Sequence, residues 1–193
     1  MPYLVRMRTI LRPAAAALVL FAALAATGCT PEPVKPHTPA PSSTPLFASD
    51  EEALAAAEEA YAAYLAVVDG VLHDGGRDTT ALFDVAVGDA LDQALADARE
   101  FEAAGYRTVG STQIGQVRLQ SNNMKVGTDG VVIRAYVCED VSQVGLFDNE
   151  GRSVVSPERP TVTPFQAAFV PSQNSAVVIV SERTVWEELS VCG

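Results

Sequence analysis

The chain has 193 residues, of which 48% are hydrophobic, and its 13 basic and 24 acidic side chains give a net charge of −11. This length suits one ordinary domain with a real core, and the acidic balance argues against nucleic acid as a partner because it repels phosphate backbones. Three cysteines and two histidines, without a CxxC pair, argue against a metal site, and no motif calls for a cofactor.

Residues 1–28 are typical of a bacterial lipoprotein signal peptide. Three arginines precede an apolar run at 13–26, which is shorter than the roughly 20 residues that a membrane-spanning helix needs. The sequence Ala-Thr-Gly-Cys that follows resembles a lipobox, so Gly28–Cys29 is the predicted cleavage site and Cys29 the predicted site of diacylglyceryl and palmitate attachment. An ordinary secretory signal and an uncleaved anchor are the alternatives, and all three export the domain.

Residues 29–46 form the second predicted region, a lipidated cysteine followed by a proline-rich stalk. Proline alternates with small and polar residues from Thr30 to Pro45, which favours extended polyproline-like conformers. Loss of the signal peptide would leave 10 basic against 24 acidic residues, a net charge of −14. We expect residues 47–193 to fold as one domain outside the cytoplasm, with the lipid on the outer face of the cytoplasmic membrane as its membrane partner.

Two cysteines, Cys138 and Cys192, remain beyond the predicted lipid site. In an exported, oxidising setting such a pair usually forms a disulfide. Two independently buried thiols are the alternative.

The first half of the domain has helical periodicity. Ser49 and Glu52 form a capping-box arrangement, and Gly75-Gly76 provides a left-handed exit. A short second helix is predicted over 80–87 and a third over 89–104. The predicted apolar stripe of the first helix consists of Leu54, Ala57, Tyr61, Tyr64, Leu65, Val68 and Leu72.

The second half alternates with period two. Strands are predicted over 111–120, 131–147, 161–170 and 176–187, separated by turn signals at 122–123, 129–130, 148–151 and 172–175. Helices followed by strands predict an α+β domain whose N-terminal helices pack on a strongly curved antiparallel four-stranded sheet.

Three segments carry a resemblance to a known family: AEEAYAAYLAVVDGVL (Ala57–Leu72), VCEDVSQV (Val137–Val144) and RTVWEELSVC (Arg183–Cys192). Across Phe47–Cys192 the chain resembles small lipid-anchored actinobacterial proteins with an NTF2-like (SnoaL-like) cone fold. The resemblance implies a conical α+β domain with an internal pocket. It implies no activity, because that fold hosts isomerases, dehydratases, cyclases and purely binding proteins.

Candidate site residues are few. Asp69 and His73 stand four residues apart on one helix flank, a spacing that could orient an imidazole, although we interpret this flank as solvated. The segment 148–151 is interpreted as a hairpin turn rather than a calcium loop, and Trp186 as a cover for one end of the barrel beside the disulfide. Tyr61, Tyr64 and Tyr136 are candidate pocket-lining residues, with plain core packing as the alternative.

Three functions are consistent with these patterns. The first is a non-enzymatic binding or scaffolding module on the outer face of the cytoplasmic membrane, with a protein or a small apolar ligand as its partner. The second is an NTF2-like isomerase, dehydratase or cyclase acting on a small apolar substrate inside the cone. The third is a homodimer formed through an open sheet face. A filled interior would favour the first, whereas a buried carboxylate or histidine beside an open cavity would favour the second.

Overall fold

The computed structural model describes residues 46–122, 130–173 and 177–193. The predicted signal peptide, Cys29 and the stalk up to residue 45 lie outside the described residues, as do parts of three predicted turns, namely Asn123, Asp129 and residues 174–175. In chain order the elements are α1 (Asp50–His73), α2 (Leu82–Val85), α3 (Gly88–Ala104), β1 (Arg107–Val109), β2 (Gln113–Asn122), β3 (Ile133–Asp140), β4 (Gly145–Phe147), β5 (Val162–Pro171), β6 (Val178–Val185) and a short 3-10 helix (Leu189–Cys192).

The strands form two antiparallel sheets. The larger has the order β2-β3-β5-β6, and β1 pairs with β4 in a separate two-stranded sheet. Register shifts interrupt the β2–β3 and β5–β6 pairings, and such bulges bend a strand and increase its twist. Within the described residues β2 and β6 each pair with one strand of this sheet, so it is open rather than closed into a barrel. The predicted fold class, N-terminal helices on a four-stranded antiparallel sheet, is confirmed.

Helix α1 begins at its predicted cap. Ser49 Oγ accepts a hydrogen bond from Glu52 N at 3.2 Å, while the Glu52 carboxylate reaches back to Ala48 N at 2.7 Å. Both Gly75 and Gly76 adopt positive φ after the helix, as the sequence predicted. The buried face differs slightly from the predicted stripe, because Ala53, Asp69 and Val71 are buried whereas Leu54, Val68 and Leu72 are only half-buried.

The single strand predicted over 131–147 is wrong, because the structure divides it into β3 and β4. Asp140 Oδ1 accepts a hydrogen bond from Ser142 N, and Val144 N donates to Val141 O, which together close a turn. The Arg159 guanidinium donates to the carbonyl oxygens of Val141 and Val144 at 3.0 and 2.9 Å. The turn is thus closed by local hydrogen bonds and held by a residue that is remote in sequence, and hydrophobic alternation reveals neither.

The core lies between the helices and one face of the four-stranded sheet. Strand alternation sends every second residue of β3 inward, and the α1 residues Ala53, Ala57 and Tyr61 meet them with no exposed surface. The small alanines let the helix approach the sheet closely. The fully buried sheet residues on this face are Ile133, Ala135, Val137, Ala167, Phe169 and Val180.

The opposite face of the sheet carries the disulfide. Cys138 and Cys192 are joined with their Cα atoms 5.7 Å apart, which confirms the predicted pairing. The bond fixes the C-terminal 3-10 helix to β3. Nearby on β3, Tyr136 packs against Trp186 with ring centroids 4.9 Å apart.

Candidate functional site

A largely buried ion pair lies where α1 packs on the sheet. The Arg183 guanidinium of β6 donates to the Glu139 carboxylate of β3, from Nε to Oε1 at 2.9 Å and from Nη2 to Oε2 at 2.7 Å. From α1, the Tyr61 hydroxyl donates to Glu139 Oε1 at 2.6 Å. The guanidinium carbon also stands 3.6 Å above the Phe165 ring centroid, a cation–π geometry. Three elements therefore meet at one carboxylate.

Burial controls the ionisation of this cluster. Burial and the neighbouring Glu139 charge raise the pKa of Tyr61 well above its ordinary value, although Arg183 opposes them. Burial by itself would lower the pKa of Arg183, yet the hydrogen bonds and charge of Glu139 outweigh it and raise that pKa. Both oxygens of Glu139 accept hydrogen bonds, and Tyr61 stays a neutral donor. The protons of Tyr61 and Arg183 are held in hydrogen bonds to Glu139, so none of these three side chains is free to act as a general base.

Sequence reasoning missed Glu139 and Arg183. Glu139 follows Ala135 and Val137 at spacings of two, so β3 alternation places its side chain on the core face. A charged residue at an inward position must find a partner, which was the available signal. Arg183 was harder to find, because the register shift between Ala168 and Phe169 changes which β6 residues face inward.

Asp69 is a second buried carboxylate, which corrects the expectation of a solvated helix flank. Its Oδ2 accepts from Thr112 N at 2.8 Å and its Oδ1 from Thr112 Oγ1 at 2.9 Å. One turn later, the exposed His73 places Nε2 2.6 Å from Gly110 O. Both residues thus fasten the segment before β2 to α1. They also line a groove of about 490 Å³ between these elements.

A further groove runs between the first half of α1, α2 and the start of β6. It encloses about 420 Å³, and most of its lining is apolar. Phe47 and Val178 in its walls are buried, while Ala56, Ala60 and Val85 are half-buried against the core. Its polar lining residues are the acidic side chains Glu52, Glu59 and Asp84.

The three candidate tyrosines do not form one set. Tyr61 and Tyr64 are buried together in the core, with ring centroids 5.8 Å apart. Tyr136 lies between the inward residues Ala135 and Val137, so it faces the other side of the sheet. A role for any of them in contacting a ligand stays a prediction.

Three smaller observations bear on other predicted features. Asp148 Oδ1 accepts hydrogen bonds from Glu150 N and Arg152 N, and Gly151 has a positive φ, so 148–151 is a turn. Across the described ranges 46–122, 130–173 and 177–193, no cluster of three acidic, histidine or cysteine residues could hold a metal ion. In the same ranges no helix combines the length and hydrophobicity needed to cross a bilayer.

No protein-family model and no curated protein matches this chain. Among solved structures it is similar to the intermembrane space region of the chloroplast protein ARC6, at 16% identity and a TM-score of 0.49, over 70% of this chain and 97% of that one. It is similar to Aln2 from a Streptomyces species at 15% identity and a TM-score of 0.41, over 71% and 90%. A de novo β-sheet design matches at 19% identity and a TM-score of 0.31, over 67% and 87%. Likenesses of this strength carry no functional argument.

Proposed function

We propose that this protein is a lipid-anchored envelope protein that acts as a non-enzymatic binding or scaffolding module on the outer face of the cytoplasmic membrane. The anchor rests on the sequence alone, on the basic start, the short apolar run and Cys29. The non-enzymatic role rests chiefly on one observation, the closed hydrogen bonding of Glu139 by Tyr61 and Arg183.

Catalysis by proton transfer needs an acid or base that can reach a substrate. Glu139 is only 5% exposed and its two oxygens already accept three hydrogen bonds, so it is committed to the fold. The surrounding interior is filled by side chains with no exposed surface, such as Tyr61, Val137 and Phe169. A packed interior with satisfied charges suits a rigid module that binds through its surface.

The anchor is tested by cell fractionation. We expect the wild-type chain in the membrane fraction and Cys29→Ala in the soluble extracytoplasmic fraction, because several acyl chains anchor stably where one binds only marginally. A Cys138→Ala/Cys192→Ala variant, which leaves Cys29 intact, is the control for general effects of cysteine replacement. Full retention of Cys29→Ala in membranes would contradict the proposal.

A second candidate function, an NTF2-like isomerase, dehydratase or cyclase for a small apolar substrate, is favoured by Asp69. This carboxylate is 9% exposed and lines the 490 Å³ groove together with His73. Its hydrogen bonds to Thr112 favour the structural role instead, since both oxygens are occupied.

Complementation of a deletion strain separates these functions. We expect Asp69→Asn and His73→Ala, if folded and membrane-bound, to restore the wild-type envelope phenotype. The exposed residue Asp92, changed to Asn on α3, is the matched control. Folded, anchored variants that behaved like the deletion would favour the enzyme.

A further inference from the structure

The groove between α1, α2 and β6 has the dimensions of a polypeptide-binding surface. Its α1 lining runs from Glu52 to Ala63 along one helix face, which at 1.5 Å per residue corresponds to about 16 Å, or three helical turns. The lining residues Ala56 and Ala60 have small side chains, which leaves room for side chains from another chain. Elongated apolar grooves of this kind receive the apolar face of an amphipathic segment.

Charge selects the kind of segment. Glu52, Glu59 and Asp84 are all exposed at this groove, and the described lining residues include no arginine, lysine or histidine. Three carboxylates repel anionic ligands such as fatty acids and attract cationic groups. A second copy of this chain is a poor occupant for the same reason, because its predicted mature form would carry a net charge of −14.

We propose that this groove binds an amphipathic segment of a partner protein, with an apolar face flanked by lysine or arginine. The inference rests on the proposed binding function and names the partner's chemistry. Apolar side chains would pack on Ala56, Ala60 and Val85, while the flanking cations pair with Glu59 and Asp84.

The test uses the full chain in nanodiscs of zwitterionic phosphatidylcholine, with empty nanodiscs as the blank. The probe is a fluorescent helical peptide of leucine and lysine, about 15 residues long because shorter isolated helices are marginal. A leucine–glutamate peptide of the same length and pattern is the control probe. Fluorescence anisotropy is expected to detect binding of the lysine peptide only.

Two variants of equal net charge locate the site. Glu59→Lys/Asp84→Lys reverses the charge of two exposed groove residues. We expect it to weaken binding of the lysine peptide by about tenfold or more and to strengthen binding of the glutamate peptide. Asp92→Lys/Glu100→Lys makes the same charge change on the exposed surface of α3 and should have a much smaller effect. Ala60→Arg, which fills the groove, should abolish binding of the lysine peptide.

If both double variants weakened binding of the lysine peptide equally, the peptide would be attracted to the acidic surface in general, and the proposal would be overturned. Absence of lysine-peptide binding to the wild type would overturn it as well. Binding that survives Ala60→Arg in a folded chain would also overturn it. These failures are distinct from failure of the anchor. If Cys29→Ala still leaves the membrane, the anchored module stands and only the groove assignment is lost.

Discussion

The Arg183 guanidinium and the Glu139 carboxylate form a two-point ion pair within the core, with side chains that are 18% and 6% exposed. Removing two charges from water is costly, so such a pair holds only where geometry and further hydrogen bonds compensate. Tyr61 provides one such bond, and the Phe165 ring covers the guanidinium. The pair also joins β3 to β6, which are not neighbours in the sheet but lie on either side of β5.

Breaking this pair on one side should be strongly destabilising. Arg183→Leu leaves Glu139 buried and unpaired, so we expect the free energy of unfolding to fall by about 3–5 kcal/mol in urea titrations. The loss of unfolding free energy in Glu139→Leu/Arg183→Leu should be smaller than the sum of the losses in the two single variants, since neither charge is left without its partner. Arg77→Leu, which breaks the exposed pair with Asp74, is the control and should cost about 1 kcal/mol or less. Equal losses for Arg183→Leu and Arg77→Leu would contradict this account.

The raised pKa of Tyr61 predicts a loss of stability at high pH. The unfolded phenol ionises near pH 10, whereas the folded one keeps its proton to higher pH because of burial and Glu139. The contribution of the Tyr61 hydroxyl to the free energy of unfolding is therefore complete below the pKa of the unfolded state and declines as the pH rises towards the pKa of the folded state. Between pH 9 and 11 the free energy of unfolding of the wild type should fall by more than that of Tyr61→Phe, measured by urea unfolding at each pH. Parallel pH profiles for the two proteins would contradict the assignment.

The sequence predicts helices well where caps are local. Ser49 and the Gly75-Gly76 pair mark the ends of the first helix, and the structure agrees because these signals act within one helical turn. Strand boundaries agree within a few residues where one strand runs unbroken between its turns, as in β5. Alternation fails at the β3–β4 break, where local hydrogen bonds close a turn and Arg159, 15 and 18 residues away, holds its carbonyl groups.

The candidate site is less predictable than the fold. Asp69 lies on a flank with Glu51 and Glu58, so periodicity alone suggests a solvated residue, and only the loop containing Thr112 buries it. Arg183 faces the core because of a bulge that no local pattern indicates. Long-range contacts decide the placement of both residues. The acidic groove is likewise assembled from segments that are far apart in sequence.

Removing the disulfide should destabilise the domain without changing its fold. Cys138 and Cys192 are separated by 54 residues, and the chain-entropy model assigns a loop of this length about 4 kcal/mol. We expect Cys138→Ala/Cys192→Ala to lose about this amount in urea unfolding. Reductant should lower the free energy of unfolding of the wild type to nearly that of the variant, and it should leave the value of the variant unchanged. If reductant added to the denatured wild type left its unfolding free energy unchanged, the disulfide would not be formed.

Gly76 combines a left-handed backbone with a close approach to α3. Its φ is +79°, and a Cβ built there would lie 2.0 Å from the carbonyl oxygen of Ala98. Gly151 has the same φ of +79°, but nothing lies within 4 Å of its Cβ position. Substituting alanine at Gly151 therefore tests backbone strain alone, whereas the same substitution at Gly76 tests backbone strain together with a steric clash.

We expect Gly151→Ala to lower the free energy of unfolding by about 1–2 kcal/mol, the cost of a left-handed conformation for a residue with a Cβ. Gly76→Ala should show a further loss of about 1–3 kcal/mol, because the added methyl group must displace the backbone of α3. Thermal and urea unfolding of both variants beside the wild type measure the difference. Since the φ values are equal, an equal loss in the two variants would mean that the turn at Gly76 is not in close contact with Ala98 of α3. A larger loss at Gly151 would mean that Gly76 is not the more tightly packed of the two positions.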